Sequence, residues 1–561
     1  MSDRDLHKAR ALIVDPQATM RSILAAQLRD LGVGHVTTVQ RTRDARLALE
    51  RGPFDIVLCS REFEGMPDNG QDLLDELRRE NQLPHSTVFI MLCASVTYHQ
   101  VVEAGESALD GLIVRPCSAT ALEARLLEAR KRKRELGPVL QALDAGHDEE
   151  ALALAMRRWI AQQPYAGWCG RLAGELLLRL DRPDEARKVF EKLALPSSAP
   201  WALLGVARAQ LALGQLQQAQ AMVKRVLAAE AGNADAHDLD GRLLIEQCQF
   251  DRALAAYRRA VEITPSCLLR NQHAGALAFF QGQAELAAHW LETAVSLGVQ
   301  SKLFDALTLA LLAMLRADAG DLPGLRAAGS QLAQYRQRFS GSVRLQRLEQ
   351  GVEVLLAFTE GRVEQAMGTL RTMSAAVGED GFDLEAANLL LGLWARAPAE
   401  HRGAADHEAL VRRIGLRFCT GRAITEVLLA ASRRDEAVVA WLQDCQQAVG
   451  ALAEKAMEHS MAGRAPAAVA LLLDAARSDF NAKLIDLVLA IGRRALAQGT
   501  ADAAALQPAL DEARRLQARS CRAANHIAGI QRTGRSPGGL QLRVRATVRW
   551  WSTPTPRPAA C

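Results

Sequence analysis

Residues Asp235–Pro265 read DAHDLDGRLLIEQCQFDRALAAYRRAVEITP. Within this stretch Gly241, Leu244, Ala253, Tyr257 and Ala260 lead to a terminating Pro265. Two helices of this length cross tightly only where small residues face each other, which is a physical reason for Gly241 and Ala253. The same pattern recurs outward along the chain. Ala151, Ala186, Ala219, Ala253 and Ala287 follow one another at spacings of 35, 33, 34 and 34, and Gly174, Ala207, Gly241 and Gly275 each lie twelve residues before the last four. Gly214 and Gly282 stand five residues ahead of their alanines, where a turn is needed. A period of this length is the mark of a repeat array, in which each unit buries its apolar face only against a neighbour.

The unit closely resembles the tetratricopeptide repeat. The resemblance covers residues 137–298 and loosens beyond, where Gly320, Gly361 with Ala366, and Gly463 with Ala468 suggest further helix pairs with longer connections; an ordinary α-helical domain is the alternative there. It implies an all-α solenoid that binds a protein partner along the concave surface lined by the first helix of each pair. By register that surface holds Arg171, Arg208, Asp238, Arg242, Gln272 and Phe279. Arg208 and Arg242 occupy equivalent positions 34 residues apart, suited to the carboxylates of an extended peptide, or else forming a solvated basic face.

Upstream of the repeats the periodicity changes. ALIVD (11–15), HVTTVQ (35–40), FDIVLCS (54–60), TVFIMLC (87–93) and GLIVR (111–115) read as strands, and Met20–Leu31, Thr42–Arg51, Gln71–Glu80 and Tyr98–Ala108 read as helices between them. This alternation predicts an α/β doubly wound five-stranded parallel sheet with ligand chemistry at the carboxyl ends of the strands. Residues 10–130 resemble a response-regulator receiver domain of the chemotaxis type, a flavodoxin-like fold, through VDPQATMR (14–21), FDIVLCS, a turn reaching Gly70, MLCAS (91–95) and VRPCS (114–118).

The resemblance implies an acid pair after the first strand, a phosphoryl-accepting Asp after the third, Thr or Ser after the fourth, and Lys-Pro after the fifth. Clustered carboxylates there hold Mg2+ and one attacks the phosphoryl donor, while the hydroxyl and ammonium read the new charge. Here Asp15 matches the first acid and Pro116 the final Pro. Pro16 takes the second acid's place, Ser60 the acceptor's, Cys93 the hydroxyl's and Arg115 the lysine's. The expectation is a vestigial pocket in which Arg115 pairs with Asp15. Glu62, Glu64 and Asp68 in the following loop are candidates for rebuilding part of a cation site, although such loop acids are usually solvated.

The chain of 561 residues therefore divides into a degenerate receiver (1–130), repeats (131–300), divergent repeats or other helices (301–515) and a basic tail (516–561). Thr120–Asp144 joins the first two without a Gly/Ser linker, and Gly137 and Pro138 are its only breakers, so one helix is expected to end and the next to start there. From Arg514 onward there are ten Arg and no Lys, Asp or Glu; since the whole chain carries +4, residues 1–513 carry −6. In the tail Arg543, Arg545 and Arg549 adjoin Trp550 and Trp551, but Gly534, Pro537 and TPTPRP (553–558) break it and no binding motif is present.

Ala and Leu dominate and aromatics are 4%, which favours stacked helices. The apolar stretch near Leu303–Leu315 is too short to span a bilayer, Leu12–Val14 is too short for a signal core, and the ten cysteines form no CxxC, so a cytoplasmic protein with cysteines as core hydrophobes is expected. The twelve His form no metal motif; His237 and His273 read as packing or surface residues, and no catalytic residue, metal, cofactor or membrane contact is expected. The expected function is a signalling adaptor. The alternatives are a phosphorelay receiver that gates the repeats and, less favoured, a nucleic-acid-associated protein using the tail.

Overall fold

The computed structural model describes residues 3–63, 70, 73–74, 77, 83–93, 110–195, 199–265, 267–299, 304–339, 341–379, 381–402, 405–497 and 503–519. The described chain forms two compact units, one up to Leu239 and one from Asp240 to Arg519. The expected helix Tyr98–Ala108, Glu64, Asp68 and the tail from residue 520 lie outside the described residues.

The first unit begins with β1 (Arg10–Val14), α1 (Ala18–Asp30), β2 (His35–Val39), α2 (Thr42–Glu50), β3 (Ile56–Ser60), β4 (Val88–Cys93) and β5 (Gly111–Val114). Leu73, Leu74 and Leu77, within the expected helix 71–80, are helical and buried. All strand pairs are parallel and the order is β2-β1-β3-β4-β5. Every side chain of β3 and β4 is buried, which is why their sequences read as unbroken apolar runs instead of alternating ones. The sheet has two faces to cover. Ala11 and Ile13 pack with Leu24, Leu28, Leu122 and Leu126 on one side, while Leu12 and Val14 pack with Leu49, Phe63, Leu74 and Phe89 on the other.

From there the chain is helical. α3 (Ala119–Glu135), capped by the Ser118 hydroxyl, ends one residue before α4 (Gly137–Asp144), which has Pro138 in its first turn. The two parts of this unit are bolted together at that point. The Asp144 carboxylate accepts from the His85 backbone N–H at 2.9 and 3.1 Å and lies 2.5 Å from its Nδ1. Lys133 donates to the His85 carbonyl at 2.6 Å, and Arg132 and Lys133 pair with the buried Asp110. Asp144→Ala leaves a half-buried backbone donor and the imidazole short of an acceptor, an expected loss of roughly 1–3 kcal/mol. Thermal unfolding followed by circular dichroism checks it; an unchanged midpoint would show the receiver and the helices to be independent.

From α4 on the helices come in pairs: α4 with α5 (Asp148–Ile160), then α6 (Ala166–Arg179) with α7 (Pro183–Ala194), α8 (Pro200–Ala212) with α9 (Leu216–Ala229), α10 (Ala234–Glu246) with α11 (Phe250–Ile263), and α12 (Leu268–Gln281) with α13 (Ala284–Gly298). The repeat spacing is explained by packing. A Cβ on Gly174 would lie 2.5 Å from the Phe190 ring, on Gly241 2.8 Å from the Tyr257 ring, and on Gly275 2.7 Å from Leu291. Each glycine thus leaves room for the buried side chain sixteen residues on. Where the small position is Ala207 the residue sixteen on is Val223, a smaller side chain, so volume is conserved across the pair. The turns share one backbone geometry. Gly146, Asp181, Gly214, Cys248 and Gly282, each five residues before a repeat alanine, all have positive φ between 58° and 79°. Asp181 and Cys248 adopt this left-handed conformation without glycine's freedom, because the helix pair imposes it.

In the second unit the pairing continues through α14 (Leu307–Asp318), α15 (Leu322–Arg338), α16 (Val343–Thr359), α17 (Val363–Ala375), α18 (Leu384–Trp394), α19 (Ala405–Phe418), α20 (Arg422–Ser432), α21 (Glu436–Met461), α22 (Ala465–Asp479), α23 (Ala482–Ala497) and α24 (Ala503–Arg519). Gly320, Gly361 and Gly463 each join two helices, as expected, but through short left-handed turns of three residues and not through longer connections. The fold is a five-stranded parallel sheet followed by an all-helical repeat region. Among the described residues no helix is long and apolar enough to cross a membrane, and the eight described cysteines are unbridged, six of them buried.

Candidate functional site

The strand register builds the site. Val14 pairs with Cys59, so Asp15 and Ser60 emerge at the same height from the carboxyl ends of β1 and β3, where the order of strands reverses. Cys93 ends β4 opposite Val114, and Arg115 follows one residue later, its N–H donating to the Cys93 carbonyl. The peptide bond from Arg115 to Pro116 is cis.

Asp15 is wholly buried. One carboxylate oxygen accepts from the Gln17 N–H at 2.8 Å and the other from the Arg115 guanidinium at 2.9 Å. Burial pushes the Asp15 carboxyl above its ordinary range, against the Gln17 amide and the charges of Arg115 and Arg21, which hold it down. Arg21 also donates to the carbonyls of Asp15 and Pro16 at 2.7 and 2.9 Å, clamping the loop onto the first turn of α1. Nothing in the local sequence sets Arg21 apart from a surface arginine of α1, so its role is visible only in the fold.

The buried Ser60 hydroxyl donates to the Glu62 carbonyl at 3.0 Å. Gly70 comes so close that a Cβ there would lie 2.2 Å from the Ser60 carbonyl oxygen, which accounts for the glycine. Burial pushes the Cys59 and Cys93 thiols up, away from the thiolate form. Among the described residues no group of three or more His, Cys, Asp or Glu side chains is placed to hold a metal ion. Asp15, Ser60, Cys93 and Arg115 are therefore one cluster, with Pro16 and Pro116 in its loops.

The solenoid residues are less uniform. In the first unit Arg171, Arg208 and Asp238 are half-buried; the Arg171 guanidinium stacks over Trp201 at 4.7 Å and approaches Glu175 at 3.8 Å. In the second unit Arg242 is half-buried, and burial lowers its proton affinity despite Glu246 and Tyr257 nearby. Gln272 and Phe279 are buried. The Gln272 amide donates to the Thr308 hydroxyl at 2.9 Å, so α14 uses it and it does not face solvent as the register suggested. Phe279 lines a cavity among α12, α14 and α18.

A parallel sheet of this order, with an acid, a small polar residue and a cation converging at its carboxyl edge, defines a receiver-type α/β domain. The chain belongs to the response regulator receiver family: residues 11–127 match the response regulator receiver domain, and residues 177–243 match the tetratricopeptide repeat. It is 35% identical over 117 residues to chemotaxis protein CheY-3 of Vibrio cholerae serotype O1, covering 21% of this chain and 88% of that protein. It is 32% identical over 117 residues to chemotaxis protein CheY of Pseudomonas aeruginosa, covering 21% and 92%. A solved thermophilic TPR protein of Thermus thermophilus is similar at 21% identity and TM-score 0.27, covering 34% of this chain and all of that one. The chain thus joins a receiver domain to protein-interaction repeats, an arrangement that suggests signalling.

Proposed function

We propose that the chain is a non-enzymatic signalling adaptor whose receiver domain has lost phosphoacceptor chemistry and whose helical repeats bind a protein partner. The observation that supports this reading is the ion pair of Arg115 with the buried Asp15, beside Ser60 in the acceptor's place. A divalent cation does not fit these residues: Pro16 offers no ligand, the Asp15 oxygens are bonded to Arg115 and Gln17, and the guanidinium repels a second positive charge. Ser60 donates its proton to a carbonyl, and among the described residues no base is bonded to it that would make it a nucleophile. The domain then serves as a docking module, and the half-buried arginines of the repeats serve as anchors for acidic groups of the partner.

Incubation of the full chain with acetyl phosphate and Mg2+, followed by intact mass, is expected to yield no phosphoryl adduct. Ser60→Asp alone is also expected to stay unlabelled, because Pro16 and Arg115 still leave the cation without a site. An adduct mapping to residues 1–130 of the natural sequence would overturn this reading in favour of a phosphorelay receiver that gates the repeats.

A further inference from the structure

The second unit holds a cavity of about 280 Å³, close to the small end of small-molecule sites. Its walls are the end of α12, the lengths of α14 and α18, the start of α13, and the last turn of α20 with the loop after it. Phe279 and Phe280 come from α12, Leu311 and Met314 from α14, Asn388 and Gly392 from α18, and Arg433 and Arg434 from the loop after α20.

Two features of this lining call for an occupant. Asn388 is only 6% exposed, yet neither its amide oxygen nor its amide nitrogen has a hydrogen-bond partner. An unsatisfied buried amide is a cost that packing alone does not offset. The rim is the second feature. Arg396 grips Asp318 with two bonds of 2.8 and 2.6 Å, and Arg434 reaches the same carboxylate at 2.8 Å. Arg433 donates to the Phe279 carbonyl at 2.8 Å, capping α12. Glu385, the other acid of the lining, is held by Arg344 at 2.6 and 2.7 Å. Three guanidiniums therefore share one remaining carboxylate at the mouth. Burial and the charges of Arg434 and Arg396 lower the proton affinity of Arg433, as an excess of positive charge requires.

We propose that this cavity binds a small anionic amphiphile, with its carboxylate or phosphate head at Arg433 and Arg434, a polar atom near the head on Asn388, and its apolar body against Phe279, Leu311 and Met314. The site shares Phe279 with the surface that the repeat register assigns to a protein partner, but it rests on Asn388, Arg433 and Arg434, which that surface does not include.

Anilinonaphthalene sulfonate, an anion with an apolar body, serves as the probe on the full chain. Saturable fluorescence enhancement at one site is expected, displaced by octanoate or octyl phosphate but not by octanol; which of the two anions displaces it identifies the head group. Asn388→Leu and Arg434→Gln should each weaken binding by about tenfold, the loss of one hydrogen bond to a charged or buried polar group. Asn388→Leu should keep its melting temperature, because its amide has no partner to lose. Absence of a saturable site, equal displacement by octanol, or unchanged affinity in both folded variants would overturn the proposal.

Discussion

Arg115→Ala is expected to destabilise the receiver by about 3–5 kcal/mol near pH 7, because it leaves the Asp15 carboxylate buried without its ion-pair partner. The loss should depend on pH in a defined direction. Asp15 already holds its proton more tightly in the folded state than in the unfolded chain, and removing Arg115 strengthens that tendency. For an acid whose folded pKa is raised, the penalty is fully present above the folded pKa and fades as pH falls towards the unfolded value. Urea unfolding of both proteins near pH 7 and again near pH 4.5 should show the gap closing. Asp15→Asn with Arg115→Met should recover much of the loss, since neutral groups of similar size replace a pair whose desolvation is costly. A small, pH-independent effect of Arg115→Ala would show that the ion pair contributes little.

Gly174→Ala is expected to cost about 3 kcal/mol, at the upper end for overpacking. The Phe190 ring has nowhere to retreat: a Cβ at Gly174 would lie 2.5 Å from it and a Cβ at Gly205 2.4 Å, so glycines of α6 and α8 bracket the same ring. The protein contains its own remedy at Ala207 and Val223, the equivalent pair one repeat on. Gly174→Ala combined with Phe190→Val should therefore lose clearly less than the sum of the two single changes, which a double-mutant cycle measures by chemical denaturation. Strict additivity would show that the two positions do not pack against each other.

Much of the fold was legible because it is periodic. Five apolar runs predicted five strands, and the small residue twelve positions before each of the last four alanines predicted where the helices cross. The turns were legible only where they carry glycine; Asp181 and Cys248 share the left-handed geometry of Gly214 and Gly282 but show no signal of it, since the helices on either side impose that backbone. Of the receiver cluster, Asp15, Ser60, Cys93 and Arg115 were found because each ends a strand, whereas Arg21 acts from inside a helix and looks like any surface arginine. Gln272 misled for the opposite reason: its register is that of a concave position, and only the packing of α14 buries it.

By itself, the sequence determined the elements and their local pairing, because strand and helix periods and the close approach of neighbouring helices depend on residues near one another in the chain. The tertiary structure decided which distant groups meet. Arg433 caps a helix end 154 residues earlier, His85 meets Asp144 across 59, and Asn388 faces a cavity instead of a partner. Such contacts follow from the sum of many small helix-to-helix rotations, and no local pattern of residues encodes that sum.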